Sequence, residues 1–262
     1  MIKVIVICGA TAVGKTDLSI RIAKDFNGEI INADASQFRK DLNIGTAKIS
    51  EKEMNGIKHH LFDIIGANES FSIKEYQSIA RNVVKDLYEK GKTPIIVGGS
   101  GLYIDALIND YDLSGPSNDY IDSEKEYEKY SNEELFSLLK SINSEFAEHT
   151  HPNNRKRVIR YIQKAKEGFE FENKKANKHY EALILFLNRE REDLYNRINL
   201  RTINMLENGW IDEVISLKNN GVDIDLIKEI GYKEIKQYLN NEIDYNELID
   251  LIQRNTRHYA KR

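Results

Sequence analysis

Eight consecutive residues of this 262-residue chain, Gly9, Ala10, Thr11, Ala12, Val13, Gly14, Lys15 and Thr16, fit the pattern G-x-x-x-x-G-K-[ST]. Peptide N–H groups of such a loop wrap a phosphate chain, the lysine ammonium reaches its terminal phosphates, and the hydroxyl is suited to Mg2+. The chemistry this implies is the handling of a di- or triphosphate, and the loop alone leaves open what that phosphate is attached to. A second candidate is Asp34 in "INADASQF", a carboxylate just past a short apolar run. Within hydrogen-bond reach of an attacking nucleophile it could take a proton, and otherwise it is an ordinary turn residue. Gln37 carries an amide suited to the edge of adenine. Arg197 and Arg201, spaced i, i+4, share one helical face and could clamp a departing diphosphate or simply be solvated. Two basic stripes, Lys156/Arg160/Lys164 and Arg254/Arg257/Lys261, suggest localised contacts with a phosphate backbone, against the alternative of plain surface charge.

Other patterns carry less. Asp63 and Gly66 match D-x-x-G, but only two apolar residues precede them and no N-K-x-D follows, so they read as structural. No apolar strand ends in a second metal-ordering aspartate. The single cysteine, Cys8, excludes an internal disulfide and reads as a small buried filler. No pair among the six histidines has the company of a metal site, so no structural zinc is expected.

The elements that must hold these residues follow from periodicity. Val4 to Ile7 is a β-rich run feeding the glycine loop, after which Leu18, Ile22 and Phe26 recur as one helix face. A strand, a glycine loop and a helix N-terminus together make an anion site, because unpaired N–H groups and the helix dipole point at the ligand. "EIINADASQF" is a strand through Ile30 and Ile31. A capping box, Ser72 to Glu75, opens a helix that closes at Gly91, with Ile73, Tyr76, Ile79, Val83 and Leu87 at helical spacing. "TPIIVGGSGLYIDALI" reads as strand, glycine turn and helix. Strand–helix–strand order means a parallel sheet with right-handed crossovers and a ligand at the strands' carboxyl ends. The glycine loop, Asp34 to Gln37 and Gly98 to Gly101 should meet there.

From Leu113 to Tyr180 the chain changes character and reads as charged helices. Asp119 to Glu134 holds seven acidic residues, a solvated face, whereas Pro152 to Lys166 holds six basic residues and no acidic one. An apolar strand returns at "EALILFLN", so this segment is an insertion, and helices follow from Arg191. The expected organisation is a core of residues 1–112 and 181–262 with an insertion of residues 113–180. A net charge of −4 argues against a protein coated in positive charge. The absence of a long apolar run leads us to expect a soluble, cytoplasmic protein with no membrane partner.

Taken together, "GATAVGKT", "INADASQ", "LNIGTAKI", "GIKHHLFDI", "FSIKEYQ", "PIIVGGSGLYI", "HPNNRKRVIR", "NRINLRTINMLENGWIDEV", "EIGYKEI" and "NTRHYAKR" make the chain resemble the tRNA dimethylallyltransferases, or tRNA isopentenyltransferases. The resemblance implies an α/β, P-loop NTPase-like core whose parallel sheet is flanked by helices, plus an all-helical insertion. It also implies transfer of the dimethylallyl group from dimethylallyl diphosphate to N6 of the adenosine 3′ of the tRNA anticodon. Tha glycine loop and Lys15 would then hold the diphosphate, Thr16 Mg2+, and Arg197 or Arg201 the leaving group. Asp34 would be the general base and Ser100 a hydroxyl near the reacting centre, where relatives usually have threonine. The family's tRNA-contacting segments map onto Asp34, Ala35, Ser36 and Gln37, onto Lys156, Arg157, Val158, Ile159 and Arg160, and onto Lys228 to Lys233, including Gly231 and Tyr232. DNA is not an expected partner.

The chain departs from the family in reading "DASQFRKD" where D-S-x-Q-V-Y-[RK]-G is common, in Gln163 for a common glutamate, and in ending at Arg262 where relatives usually continue, so part of the tRNA surface is expected to be missing. Three other readings compete: a P-loop kinase of a small metabolite, a prenyltransferase of free adenine nucleotides, and a non-catalytic RNA-binding module.

Overall fold

The protein is described by a computed structural model covering residues 1–110, 113, 125–169 and 177–262. Five strands, β1 (Lys3–Gly9), β2 (Gly28–Asn32), β3 (His59–His60), β4 (Thr93–Gly98) and β5 (Glu181–Leu187), form one sheet in the order β3-β2-β4-β1-β5. All its pairings are parallel. β1 lies between β4 and β5, so the glycine loop leaves the sheet beside the ends of both neighbours. Strand β2 pairs with β4 through Asn32 and Val97, bringing Asp34 to the same end.

Apolar residues alternate across these strands because successive side chains point to opposite faces. On one face Val4, Val6, Ile31, Ala33 and Ile96 pack with Tyr76, Ala80, Val84 and Leu87 of helix α3 (Ile73–Glu89) and with Ile104 and Leu107 of α4 (Gly101–Ile108). On the other, Ile7, Ile30 and Ile95 meet Ala23 of α1 (Lys15–Asp25). Each such large side chain, fully buried, contributes about 1.5–3 kcal/mol relative to exposure. The capping box at Ser72 and Glu75 forms as expected. Two expected core positions do not. Helix α1 ends at Asp25, so Phe26 leaves the stripe and is 58% exposed, and on α3 the buried stripe runs through Ala80 and Val84, leaving Ile79 outward.

A short helix α2 (Glu51–Met54) precedes β3. Compact packing groups Met1–Asp110 with Asn177–Arg262 and sets Tyr111–Ala176 apart. Residues 177–180 thus go with the core, where Lys178 bridges Asn109 and Tyr180 is buried, rather than with the insertion as the bounds 113 and 180 assumed. In the second unit, helices α5 (Asn132–Ile142), α6 (Ser144–Glu148) and α7 (Arg155–Lys166) enclose Leu135, Leu139, Phe146, Val158, Ile159 and Ile162. Of the acidic stretch, Glu126, Glu128, Glu133 and Glu134 are exposed; residues 119–124 lie outside the described residues, as do most of those near the expected boundary at 112/113.

After β5 come α8 (Arg191–Glu207), α9 (Trp210–Asn219), α10 (Tyr232–Leu239) and α11 (Tyr245–Lys261). Their buried residues, among them Leu206, Trp210, Val214, Tyr232, Ile235 and Leu248, close over Leu42 and Ala67 from the loops around β2 and β3. Among the described residues no helix is long and apolar enough to cross a membrane.

Candidate active site

The loop from Gly9 to Thr16 wraps into the start of α1. Gly9 has φ +143° and an added Cβ would stand 2.5 Å from the Leu187 carbonyl oxygen, so only glycine fits beside β5. Gly14, at φ +105°, caps α1 and directs the first N–H groups of the helix into the loop. Lys15 Nζ donates to the carbonyls of Gly9 (3.0 Å) and Ala10 (2.9 Å), folding the ammonium over the cradle. Burial lowers the Lys15 pKa, the Asp34 charge pulls it back up, and the Arg201 guanidinium lowers it again.

Helix α8 brings both expected arginines to the same loop. Arg197 Nε donates to the Ala12 carbonyl at 2.9 Å, and Arg201 Nη1 to Thr11 Oγ1 at 3.2 Å. Arg201 is the more enclosed, and its pKa is lowered by burial, with Asp34 opposing. A third guanidinium, missed in the sequence, also reaches the loop: Arg189 Nε donates to the Val13 carbonyl at 2.9 Å. Its only signal was its place directly after the strand "EALILFLN". Arg189 is paired with Asp193 at 2.8 Å, whereas the part-buried Lys15 and Arg201 share the charge of Asp34, an excess of positive charge that a phosphate ligand would neutralise.

Asp34 closes the opposite side. Its Oδ1 accepts from Ser36 N (3.2 Å) and Ser36 Oγ (2.6 Å), which occupies one oxygen and leaves Oδ2 for a ligand. Asn32 Oδ1 accepts from the Asp34 N–H at 2.9 Å and its amide donates to the Asp34 and Leu61 carbonyls, so the turn is pinned from behind. Ser100 Oγ accepts from Ala35 N at 3.2 Å, tying the end of β4 to the same turn. A Cβ placed on Gly99 would lie 3.6 Å from the Gly9 carbonyl oxygen and 3.8 Å from both Asp34 Oδ2 and Lys15 Nζ. The three segments expected to converge therefore do. Tyr259 of α11 was also missed: burial raises its phenol pKa and the negative charge of Asp34 adds to the rise, so it belongs to this neighbourhood.

Thr16 lines a cavity of about 40 Å³ with Asn32, Gln37, His59 and Phe62. Among the described residues no group of three or more His, Cys, Asp or Glu side chains could hold a metal. A lone hydroxyl at a phosphate loop nevertheless suits Mg2+, which takes few protein ligands and completes its octahedron with phosphate oxygens and water. The donor set therefore fits that ion.

Several expected tRNA contacts need correcting. Val158 and Ile159 are fully buried in the insertion's core, so of the five residues expected to touch tRNA on α7, Lys156, Arg157 and Arg160 face outward. Gly231 and Tyr232 are buried too. Gly231 sits at φ +105° under the Trp210 ring, with no room for a Cβ, and the Tyr232 hydroxyl donates to Glu213 Oε1 at 2.8 Å. The flanking Lys228 and Lys233 remain exposed. Gln37 is not a free amide: its Nε2 donates to the carbonyls of Thr46 (3.1 Å) and Ala47 (3.2 Å), leaving only Oε1 for a ligand.

The departures in "DASQFRKD" have local explanations. Phe38 is buried against Phe71, Tyr76 and Tyr103. Arg39 latches onto the carbonyls of Ala67 and Glu69 and pairs with Glu229 at 3.2 Å. Asp41, where relatives carry glycine, keeps the left-handed backbone a glycine would adopt, at φ +66°.

Residues 37–262 match the family model described as IPP transferase. A tRNA dimethylallyltransferase of Anoxybacillus flavithermus is 46% identical over 99% of this chain and 85% of its own length, and one from Alkaliphilus oremlandii is 43% identical over 99% and 86%. Among solved structures, the tRNA isopentenylpyrophosphate transferase of Bacillus halodurans is 38% identical with a TM-score of 0.74, covering 100% of this chain and 85% of its own. A eukaryotic dimethylallyltransferase captured acting on tRNA is 30% identical with a TM-score of 0.85, over 100% of this chain and 68% of its own.

Proposed function

The chain belongs to the IPP transferase family, and from that premise we propose how its residues carry out the reaction. It is a tRNA dimethylallyltransferase, and the bond it forms joins the five-carbon group of dimethylallyl diphosphate to N6 of the adenosine 3′ of the anticodon. The observation that carries this reading is the meeting of a cation-lined phosphate cradle with the carboxylate of Asp34, whose Oδ2 is available.

Cleaving an allylic C–O bond leaves a delocalised, carbocation-like fragment, so the main task is to stabilise negative charge growing on the departing diphosphate. Loop N–H groups from Gly9 to Thr16, Lys15 and the buried Arg201 are fixed before the reaction and aimed at that charge. Arg197 and Arg189 already donate to loop carbonyls, which fits them to shape the cradle. Thr16 would hold Mg2+, which when bound neutralises diphosphate oxygens. As the C–O bond breaks and the N6–C bond forms, the N6 proton passes to Asp34 Oδ2, with Ser36 fixing the other carboxylate oxygen. Ser100 holds the Ala35 N–H and so positions the Asp34 turn. The target base has to leave its stack to reach this depth. Lys156, Arg157 and Arg160, with Lys228 and Lys233, supply phosphate contacts, and the acceptor sets the place of work in the cytoplasm.

A small-metabolite kinase would call for an apolar strand ending in a second metal-ordering aspartate, a pattern the sequence does not contain. Free adenine nucleotides would leave the outward charges of α7 without a role. The test is Asp34→Ala: diphosphate binding should survive, and transfer to an anticodon stem-loop should be lost. Turnover at the normal rate in that variant would remove Asp34 from the mechanism.

A further inference from the structure

The carboxylate of Glu213, on α9, takes four hydrogen bonds. Oε2 accepts from the backbone N–H of Asn43 (2.8 Å) and Ile44 (2.7 Å), and Oε1 from Gly45 N (3.1 Å) and the Tyr232 hydroxyl (2.8 Å). Three successive N–H groups on one carboxylate hold the loop "LNIGTAKI" in a single shape. The loop closes on itself through Thr46 Oγ1 to the Leu42 carbonyl (2.5 Å), Ala47 N to Ile44 O (2.8 Å) and Lys48 N to Asn43 O (2.9 Å). Its next two carbonyls, Thr46 and Ala47, take both amide protons of Gln37. Gln37 N in turn donates to the Asp34 carbonyl at 3.1 Å, so amide and carboxylate ride on one turn.

We propose that Glu213 is a positioning residue for the acceptor base: through the 43–47 loop it fixes Gln37 with only Oε1 presented, and that oxygen receives the second proton of the adenine N6 amine. This deepens the reading above and rests on it. A purine amine carries two N–H bonds. With one directed at Asp34 Oδ2 and the other at Gln37 Oε1, the amine is held in the base plane and its lone pair is left perpendicular, toward the allylic carbon. A purine with an oxygen at position 6 offers an acceptor to an acceptor, and a site built to receive a donor rejects such an analogue. An amide free to turn could donate to that oxygen, and discrimination would fall to the part that Asp34 Oδ2 enforces.

The experiment measures competition between anticodon stem-loops carrying adenosine or inosine at the target position, by fluorescence anisotropy with Mg2+ and inorganic pyrophosphate present. Wild type should prefer adenosine by about tenfold or more. Glu213→Ala should lower the ratio to the part that Asp34 Oδ2 still enforces, and Glu213→Gln, which keeps the shape and one acceptor oxygen, should lower it by less even if the alanine variant does not fold. Gln37→Met should lower the ratio as well, and adding Glu213→Gln to it should lower the ratio no further, since both act through one oxygen. An unchanged ratio in folded Glu213→Gln, additive losses in the double variant, or a changed Mg2+ requirement with the ratio intact would each overturn the proposal. A wild-type protein that leaves the adenosine stem-loop unmodified in the presence of dimethylallyl diphosphate would instead count against the underlying reading.

Discussion

Replacing Gly98 by alanine should nearly abolish transfer while leaving the phosphate cradle able to bind. Gly98 ends β4 where β2 runs out toward Asp34, and an added Cβ would sit 2.9 Å from Ala33 Cα and closer still to the Ala33 carbonyl carbon and oxygen. Ordinary contact begins at 3.4 Å, and the obstructing atoms are backbone, so no side chain can swing aside. Ala33 is pinned through its N–H to Val97 O at 2.8 Å, and its carbonyl receives Ser100 N at 3.4 Å. The strand end must therefore shift by about 1 Å, carrying Asp34, the next residue, with it. A misplacement of that size costs on the order of 10²-fold in rate, and overpacking adds about 1–3 kcal/mol of destabilisation. Single-turnover transfer to a stem-loop, paired with calorimetric binding of pyrophosphate, separates the two effects. Transfer should fall about a hundredfold, with pyrophosphate affinity within a few-fold of wild type. A variant that transfers at the wild-type rate would show that the distance from Ala33 to Gly98 does not govern the position of Asp34.

Two further outcomes follow from the site and the insertion. Because burial lowers the Lys15 pKa, its ammonium is lost at lower pH than in an exposed lysine; pyrophosphate affinity should decline as pH rises, beginning below the ordinary lysine range, and a profile flat into that range would contradict the assignment. On α7, Lys156→Ala and Arg160→Ala should each weaken stem-loop binding and reduce its salt slope by about one with little change in melting, whereas Ile159→Ala, at 0% exposure, should cost about 2–5 kcal/mol of stability; the reverse pattern would mean that the basic face is not the RNA face.

The parts of this molecule set by local rules were legible in its sequence. Gly9 to Thr16 followed a β-rich run, the capping box at Ser72 and Glu75 formed, and the meeting of loop, Asp34 turn and Gly98–Gly101 followed from parallel strand order alone. Tertiary packing hid the rest. In "RKRVIR" basic and buried residues share one helix, and two of the six, Val158 and Ile159, belong to the core of a segment expected to touch tRNA. Tyr232 and Gly231 read as contacts but fill the space against Trp210, because the partners of a side chain that far along the chain cannot be read from spacing. Arg189, Tyr259 and Glu213 reach the site neighbourhood from segments distant in sequence; no motif held Arg189, and although Tyr259 and Glu213 lie within "NTRHYAKR" and "NRINLRTINMLENGWIDEV", spacing alone gave neither a role. Gln37 was recognised as an amide, but its committed protons became visible only with the Thr46 and Ala47 carbonyls in place.

The account rests on a diphosphate leaving carbon rather than a phosphoryl group being passed on. The most direct measurement is the mass of an unmodified anticodon stem-loop after incubation with the protein and Mg2+, with either dimethylallyl diphosphate or ATP. A gain of one dimethylallyl group in place of a hydrogen, with the first donor only, is the predicted result. No gain with dimethylallyl diphosphate, or a phosphoryl gain with ATP, would contradict it.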